Sequence, residues 1–376
     1  MKKPAILKMT AAIALCTAVA ASCTLAGCAQ DTAGNSQYSK DTNIVSYVST
    51  RTQVYSTTAE VVEAVADSVV EISTEATMTQ WGMQYIVSGA GSGVIVGQDE
   101  DTYYIVTNDH VIEGANDITV RLRNGEEYEA ELIAADDAAD IAAITITCGE
   151  QLELAVWADS DELQIGEDLI AIGNPLGSLG GTVTKGILSA TERSIVVNDY
   201  EMTLLQTDTA INPGNSGGGL FNMRGELVGI VNAKTSDEEV EGICFAIPAN
   251  TARDTFNDLL TYGYVQGRAT FDIELTEGSI SSGIGGAAQS ITYVTATGDG
   301  IEAGTFELYD RIYKINGNEI TTLASYNAAL ADISAGDEVT VEVFRGKINQ
   351  GFFGNSITFE EQSVSFTVTA LQYGAQ

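Results

Sequence analysis

The sequence predicts a mainly β protein, an all-β barrel or sandwich that is followed by a smaller mixed domain. From Val69 to Pro248, short runs rich in β-branched and aromatic residues alternate with turn residues, as in VVEIST, TYYIVTND, DLIAIGN and ELVGIVNAK. No repeating strand-then-helix unit occurs, which argues against a parallel, doubly wound sheet. The 38 glycines and only 4 prolines are typical of many tight turns. A length of 376 residues predicts more than one domain.

Residues 1–27 have the pattern of a signal peptide. Three lysines precede the apolar run MTAAIALCTAVAAS, which is shorter than the ~20 residues that a membrane-spanning helix needs. The segment ends in LAGC, residues 25–28, which resembles the lipobox of bacterial lipoproteins. The resemblance implies an extracytoplasmic protein that is anchored to a bacterial membrane through a lipidated Cys28, at the cell surface or the periplasmic face. The alternative is a plain signal peptide, cut at a nearby small residue.

Removal of the signal peptide changes the number of cysteines and the net charge of the mature chain. Once Cys28 and the two signal-peptide cysteines are set aside, only Cys148 and Cys244 remain, too few for a disulfide framework. We expect both to be free and buried in separate strands, with a single disulfide as the alternative. The net charge is −35, and −38 without the three lysines of residues 1–27. Since phosphate binding needs clustered Lys and Arg, nucleic acid is not an expected partner.

Composition and periodicity divide the chain into five segments. We predict a signal peptide at 1–27, a Ser/Thr/Asn-rich tether or arm at 28–57, a β domain at 58–255, a linker at 256–267 and a smaller mixed domain at 268–376. TTAEVVEAVADS has helical spacing, with Thr57 or Thr58 as its N-cap. The helical stretch ANTARDTFNDLLTYG follows the last strand of the β domain and marks the domain boundary.

The stretch QTDTAINPGNSGGGL, residues 206–220, surrounds Ser216 with glycines. It lacks the Lys and Ser/Thr ending of a P-loop and the G-x-G-x-x-G spacing, and strand-like segments flank it, unlike a linker. GNSGG does match the G-x-S-x-G nucleophile elbow of α/β-hydrolases. In that fold, however, the catalytic histidine follows the serine and the elbow opens a helix. Here the single histidine, His110, precedes Ser216, and the hairpin-like LFNMRGELVGIV follows it.

His110 is the only candidate base for this serine. A serine hydroxyl is a weak nucleophile that needs a neighbouring base, and an acid that orients the base. A lone histidine is usually a surface residue or a satisfied core residue, and the glycine-rich serine loop is the context that favours a catalytic role. His110 lies at a predicted strand end, in YYIVTNDHVI. An Asp-His-Ser order, with Asp101 or Asp109 as the acid, is not excluded by order alone, but the all-β pattern disfavours it.

The candidate acid lies between the histidine and the serine, in AADDAADIAAITI. We favour Asp140 over Asp136 and Asp137 because it leads directly into an apolar run, where a carboxylate can be partly buried and hydrogen-bonded. The glycines of the serine loop allow a sharp turn and close approach of a substrate. Backbone N–H groups in the loop, those of Gly214 and Ser216, can then point at a developing oxyanion.

Together these motifs resemble the HtrA/Deg family of exported trypsin-like serine proteases with a C-terminal PDZ domain. TNDHVI, DDAADIAAI, GNPLG, VTKGILSA, QTDTAINPGNSGG and FAIP follow in the family's order, and the resemblance covers most of residues 58–372. It implies a chymotrypsin-like double β-barrel followed by a PDZ domain, with a triad of His110, Asp140 and Ser216 between the barrels. It also implies an ATP-independent endopeptidase that degrades unfolded or damaged exported proteins, often as a homotrimer.

The resemblance also bears on specificity. In this fold the position six before the serine, here Ala210, floors the specificity pocket. An apolar floor offers no partner for Lys or Arg, so we expect cleavage after small or medium aliphatic residues. A single histidine and scattered cysteines offer no clustered ligand set, so no metal and no cofactor are expected.

Residues 268–372 are similar to a PDZ domain, chiefly through YDRIYKINGNEI and AGDEVTVEVFRG. PDZ domains capture C-terminal peptides by strand addition, with loop amides holding the carboxylate. Where the family usually has a Leu-Gly-Ile type of loop, this chain has Phe271, Asp272 and Ile273, and Asp272 adds a negative charge near the expected carboxylate. C-terminal peptide capture and a domain kept for packing or regulation are both open. For the whole chain, the alternative to a protease is a catalytically silent, lipid-anchored chaperone or adaptor scaffold.

Overall fold

The computed structural model describes residues 54–80, 83–174, 182–212, 214–233, 243–281, 288–298, 300–302, 304–351, 354–360 and 362–373. The predicted signal peptide, Cys28 and nearly all of the tether lie outside the described residues. Within the described ranges, no helix has both the length and the apolar character needed to span a membrane. The chain divides into two compact units, with the boundary in sequence between Gln266 and Gly267.

The first unit begins with helix α1 (Thr58–Val65). The Thr57 hydroxyl accepts a hydrogen bond from the Glu60 N–H at 3.3 Å, and the Glu60 carboxylate accepts one from the Thr57 N–H at 3.0 Å. This reciprocal capping box satisfies two backbone donors at the helix start. The predicted helix and its Thr57 N-cap are confirmed. A turn of 3₁₀ helix (Ala66–Ser68) leads from α1 into the first sheet.

Seven antiparallel strands form the first sheet. They are β1 (Val69–Gln80), β2 (Met83–Asp99), β3 (Thr102–Thr107), β4 (Asp117–Arg121), β5 (Glu127–Glu129), β6 (Glu131–Asp136) and β7 (Ile141–Thr147). Their order is β5-β4-β1-β2-β3-β7-β6, and a short helix α2 (Asp109–Ile112) follows β3. Because Val120 of β4 and Ile144 of β7 share one buried cluster with Ile72 of β1, the sheet curls around its own core.

The second sheet closes on itself. Its strands are β8 (Val156–Trp157), β9 (Asp168–Gly173), β10 (Thr182–Val197), β11 (Tyr200–Thr207), β12 (Gly219–Asn222), β13 (Glu226–Asn232) and β14 (Cys244–Pro248), with a 3₁₀ turn at Ser160–Glu162. The order is β12-β9-β10-β11-β14-β13-β8. Since β12 also pairs with β13, six of the strands close into a barrel. A cluster that joins Val94 and Val106 to Ile170 and Phe221 packs the two sheets together.

Helix α3 (Ala249–Tyr262) ends the first unit. Gly263 caps it in the left-handed conformation, with φ of 80°, as expected for a helix C-cap. Phe256 and Leu259 lie one turn apart on the buried face and pack into the core that joins the two sheets. The helix therefore runs through much of the interval predicted as a linker, 256–267, and the compact unit continues to Gln266.

The second unit is smaller and mixed. Its elements are β15 (Ala269–Thr270), β16 (Ile273–Ser281), β17 (Ala288–Thr297), β18 (Arg311–Ile315), β19 (Asn318–Glu319), α4 (Leu323–Ala331), β20 (Glu338–Phe344), β21 (Gly346–Gly351), β22 (Gly354–Phe359), β23 (Val364–Thr369) and β24 (Leu371–Gln372). Its main sheet has the order β16-β17-β18-β20-β23, and β16 lies at one edge. Phe271, Phe306 and Tyr326 pack in the core beside this sheet.

The predicted mainly β fold with a smaller mixed domain is confirmed. The two remaining cysteines are free and buried, also as predicted. Cys244 opens β14, whereas Cys148 directly follows β7 instead of lying within a strand. They belong to different hydrophobic clusters of the first unit.

Candidate active site

His110 and Asp140 form a close pair. His110 lies in α2, just after β3, and Asp140 lies in the turn directly before β7. The Nδ1 atom of His110 lies 2.8 Å from Oδ2 and 3.0 Å from Oδ1 of Asp140. The backbone N–H of His110 also donates to Asp140 Oδ1, at 3.0 Å. One carboxylate thus holds both the ring and the main chain of the histidine, which fixes the orientation of the imidazole.

Asp140 is itself buried and held by two asparagines. The side-chain amide of Asn232, at the end of β13, donates to Asp140 Oδ2 at 2.9 Å. The side-chain amide of Asn108, just after β3, donates to the Asp140 carbonyl at 2.9 Å. Asp140 has φ of 51°, a left-handed conformation that Asp tolerates better than most residues. A buried carboxylate is costly unless it is hydrogen-bonded, and these contacts meet that need.

The Ser216 loop is tied to the same strands. Ser92 of β2 donates its N–H to the Ser216 carbonyl at 2.8 Å and its hydroxyl to the Gly214 carbonyl at 2.7 Å. The Thr107 hydroxyl in turn donates to the Ser92 carbonyl at 2.7 Å. Because Thr107 stands three residues before His110, these bonds connect the serine loop to the strand that presents the histidine. The second sheet also contributes, since the Gly217 N–H donates to the Val231 carbonyl at 3.0 Å.

Two glycines allow this close approach. Gly217 has φ of 78°, and a Cβ atom there would collide with the Ser92 carbonyl oxygen. A Cβ atom on Gly91 would lie 2.6 Å from Val111 Cγ1 and 3.3 Å from the Ser216 carbonyl oxygen. Val111, next to His110, and the carbonyl oxygen of Ser216 therefore both lie against Gly91 of β2. Larger residues at these positions would force the histidine and serine segments apart.

Two backbone donors in the loop have no acceptor among the described residues. Gly214 adopts φ of 100°, which glycine reaches at no steric cost. Within the described part of the chain, no group accepts a hydrogen bond from the N–H of Gly214 or of Ser216. Nor does a hydrogen bond join Ser216 Oγ to the His110 ring in these described segments. Catalytic hydrogen bonds are often long before substrate binds and tighten in the complex.

Asp109 adds a carboxyl group beside the pair. Its pKa is raised from 3.8 to about 6. Burial is the largest cause, the nearby carboxylates of Asp140, Glu113 and Asp137 add to the rise, and His110 lowers the pKa by a smaller amount. The site therefore holds two acids of different character. Asp140 is directly bonded to the histidine, and Asp109 is crowded by like charges.

Comparisons with known proteins agree with this geometry. Residues 91–230 match the trypsin-like peptidase domain and residues 287–352 match the PDZ domain. A solved structure of a variant of the HtrA-type protease AlgW with a tripeptide is 30% identical, with a TM-score of 0.55, and the match covers 85% of this chain and 98% of that one. The chain belongs to the HtrA family of trypsin-like serine proteases with a C-terminal PDZ domain.

Curated relatives of this HtrA-family chain are also similar. The serine protease Do-like HtrB of Bacillus subtilis is 40% identical over 272 residues, 68% of this chain and 59% of the relative. The periplasmic serine endoprotease DegP of Escherichia coli is 38% identical over 275 residues, 70% of this chain and 56% of DegP. The match thus spans somewhat over half the length of these curated relatives. The predicted double β-barrel followed by a PDZ domain is confirmed.

The remaining predicted site residues of the HtrA-family chain are less constrained. Ala210 is exposed, and its carbonyl accepts a hydrogen bond from the Thr184 hydroxyl at 2.7 Å. Its role in specificity stays a prediction. Cys28, the predicted lipidation site, lies outside the described residues. Across the described segments, no three His, Cys, Asp or Glu side chains are grouped as metal ligands.

The predicted carboxylate loop of the PDZ domain has two unusual features. Asp272 adopts φ of 55°, in the left-handed region that favours glycine. Its carboxylate accepts a hydrogen bond from the Gly300 N–H at 3.1 Å, and its own N–H donates to the Thr270 hydroxyl at 3.3 Å. Phe271 is buried in the domain core and Ile273 opens β16. One loop amide is therefore already bonded, and a carboxylate of the chain itself lies in the loop.

Sequence reasoning missed four residues that support the HtrA-family site. Asn232 and Asn108 hold Asp140, whereas Ser92 and Thr107 hold the serine loop. Asn108 lies within the histidine motif, which is a signal that could have found it. The other three are polar residues in or at the ends of buried strands, and only the pairing of the strands shows what they contact.

Proposed function

We propose that this chain is an exported, membrane-anchored, ATP-independent serine endopeptidase that degrades unfolded or damaged proteins. The observation that carries the proposal is the buried Asp140 carboxylate, which holds both the ring and the backbone of His110 beside the serine loop. Relatives named serine proteases, at up to 40% identity in the cases above, support the reaction class. The predicted lipidation of Cys28 and the name of periplasmic DegP support an extracytoplasmic location.

In this mechanism Ser216 Oγ attacks the carbonyl carbon of the scissile peptide bond while His110 Nε2 takes its proton. Asp140 accepts a hydrogen bond from Nδ1–H and stabilises the resulting imidazolium. The N–H groups of Gly214 and Ser216 stabilise the oxyanion of the tetrahedral intermediate. His110 then gives the proton to the leaving amine as the acyl-enzyme forms. In the second half, His110 takes a proton from water, whose oxygen attacks the carbonyl carbon of the ester. His110 then gives this proton to Ser216 Oγ as the acyl C–O bond breaks and the acid product leaves.

The proposal includes substrate and assembly. An apolar residue at position 210 favours cleavage after small or medium aliphatic residues. C-terminal peptides are candidate ligands of the PDZ domain, and a homotrimer is the assembly that the family resemblance implies. A peptide library digested by the mature protein tests the specificity, and preferential cleavage after Arg would contradict it.

Labelling by a fluorophosphonate probe tests the chemistry. We expect the mature protein to be labelled at Ser216 and the Ser216→Ala variant to be unlabelled.

Asp140→Asn should lower kcat on unfolded casein by about 10⁴-fold, because an amide stabilises the wrong tautomer of the histidine. Asp137→Asn makes the same change in charge at an exposed position three residues away and should leave kcat within about two-fold.

Absence of labelling in the wild type, with or without unfolded protein, would contradict the protease proposal. It would favour the catalytically silent chaperone or adaptor scaffold. An equal loss of kcat in Asp140→Asn and Asp137→Asn would instead show that the loss is a general effect of removing a negative charge.

A further inference from the structure

Strand β16 and helix α4 form the two walls of a groove in the second unit. Among the described segments, β16 pairs only with β17, so its outer edge offers backbone N–H and C=O groups to an extended chain. Ile273 and Leu275 of β16 and Leu330 of α4 are half-buried and pack against the domain core. Leu323 lies two turns before Leu330, on the same side of α4. We name these four residues, together with Glu277, the PDZ groove.

One end of the PDZ groove carries the carboxylate of Asp272. This carboxylate accepts a hydrogen bond from the Gly300 N–H at 3.1 Å, and the Asp272 carbonyl accepts one from the Gly298 N–H at 2.8 Å. A Cβ atom on Gly298 would collide with the carboxylate, so glycine there lets the two loops pack around it. A free C-terminal carboxylate bound in this loop would lie beside a like charge, which is unfavourable. A peptide bond at the same place carries no charge and avoids the repulsion.

The other end of the PDZ groove carries the carboxylate of Glu277, which accepts a hydrogen bond from the Leu323 N–H at 2.6 Å. The strand register pairs Leu275 with Val294 and Glu277 with Thr292, and both of these partners on β17 are buried. Because paired residues share a face, Glu277 lies on the same face of β16 as Leu275. Glu277 is nevertheless exposed. A cationic side chain that enters the groove can therefore reach this carboxylate from solvent.

The two walls of the PDZ groove carry only negative charge. Residues 269–281 include three acidic residues, Asp272, Glu274 and Glu277, and no Lys or Arg, and residues 320–331 include no charged residue. The nearest basic residue in sequence is Arg268, directly before β15. The whole chain has a net charge of −35. Charge complementarity therefore favours a basic ligand over an acidic one.

We propose that the PDZ groove binds internal segments of unfolded substrates in which apolar residues lie beside Lys or Arg. The backbone of such a segment pairs with the edge of β16, its apolar side chains pack on Ile273 and Leu275, and a basic side chain pairs with Glu277. Asp272 and Glu277 are five residues apart, ~17 Å along an extended strand, which about five residues of a bound segment also cover. The inference rests on the peptide binding included in the proposed function and names the class of segment. Capture then needs no free C-terminus.

Binding to the full mature protein with Ser216→Ala, which cannot form an acyl-enzyme, tests the inference. The probe is a fluorescent peptide, acetylated and amidated at its ends, with a central apolar block and one Lys on each side. A second peptide has Gln in place of both Lys residues. By fluorescence anisotropy we expect the Lys peptide to bind about ten-fold more tightly, as two exposed ion pairs allow. A third peptide, which ends in a free carboxylate directly after the apolar block, should bind about three-fold more weakly than its own amide.

Two matched variants locate the preference for Lys. Glu277→Gln keeps an oxygen that can accept from the Leu323 N–H, so α4 should begin as in the wild type, and most of the ten-fold preference should be lost. Glu274→Gln removes the same charge from an exposed position of β16. Its neighbours Ile273 and Leu275 pack on the core, so Glu274 points away from the PDZ groove. With salt screening at 0.15 M, this control should change the preference less than about two-fold.

Equal binding of the Lys and Gln peptides would overturn the inference. So would an equal loss of the preference in Glu277→Gln and Glu274→Gln, which would assign it to the overall negative charge of the chain. Tighter binding of the free-acid peptide than of its amide would assign the groove to C-termini instead. None of these measurements depends on turnover, so labelling of the wild type by the fluorophosphonate probe decides the protease proposal separately.

Discussion

Asp109 is half-buried next to His110, and the carboxylates of Asp140, Glu113 and Asp137 are close enough to act on it. Burial and the like charges raise its pKa from 3.8 to about 6. A raised pKa means that the folded chain holds this proton more tightly than the unfolded chain does. The free energy of unfolding therefore falls as the pH rises from about 4 to about 6 and stays lower above that range.

Asp109→Asn should remove this destabilisation. We expect the variant to be more stable than the wild type by about 1 kcal/mol at pH 7.5, a figure reduced to allow for solvent screening of a partly exposed group. At pH 4 the difference should vanish. Urea denaturation at both pH values measures it, with Asp117→Asn as a control of equal charge at an exposed position. A gain of the same size at both pH values would show that the effect is not due to titration of Asp109.

Strand β16, with the loop before it, is the part of the PDZ domain where peptide capture is expected. Glu277 of β16 accepts a hydrogen bond from the Leu323 N–H, at the start of α4, at 2.6 Å. Strand β16 is the edge strand to which a peptide would add, as in other PDZ domains. The preceding loop holds the Asp272 carboxylate near the expected place of a peptide carboxylate. The negative charge, more than the backbone shape, is what we expect to oppose capture.

Asp272→Gly tests that expectation. Glycine adopts the left-handed backbone of this position without strain, so the domain should fold unchanged. We expect the variant to bind peptides with an apolar C-terminal residue about ten-fold more tightly than the wild type, by fluorescence polarisation. C-terminally amidated peptides are the control and should gain nothing. If wild type and variant bind the free-acid peptides equally, the Asp272 charge does not limit capture.

Local signals account for the elements that the sequence could predict. Thr57 and Glu60 form a capping box within four residues, and Gly263 follows α3, so both helices are visible in short windows. The sequence did not show that α3 continues into the interval predicted as a linker, because the burial of Phe256 depends on packing against distant strands. Asn232 contacts Asp140 across 92 residues of sequence, and no local pattern encodes that contact. The motifs around His110, Asp140 and Ser216 are visible in the sequence, whereas the residues that contact them could be found only from the strand pairing.

Two sets of hydrophobic clusters divide the molecule. The described residues from Val54 to Gln266 pack around the two sheets and α3, whereas the described residues from Gly267 to Tyr373 pack around the PDZ sheet and α4. Each unit has its own core, which is the condition for folding alone. Among the described residues, the contacts of the candidate active-site residues His110, Asp140 and Ser216 lie within the first unit. Catalysis should therefore not require the PDZ domain to be present.

Truncation locates the functional boundary of the protease unit. A chain ending at Gln266 should fold cooperatively and react with the fluorophosphonate probe at Ser216. A chain ending at residue 255 loses Phe256 and Leu259, both buried in the shared core. Removing even one large buried side chain costs about 3–5 kcal/mol, and whole domains are stable by only about 5–15 kcal/mol. The shorter chain should thus lose its cooperative thermal transition and its labelling. If it melts and labels like the longer one, α3 is dispensable and the unit ends before the helix; if neither chain labels, the site depends on residues after 266.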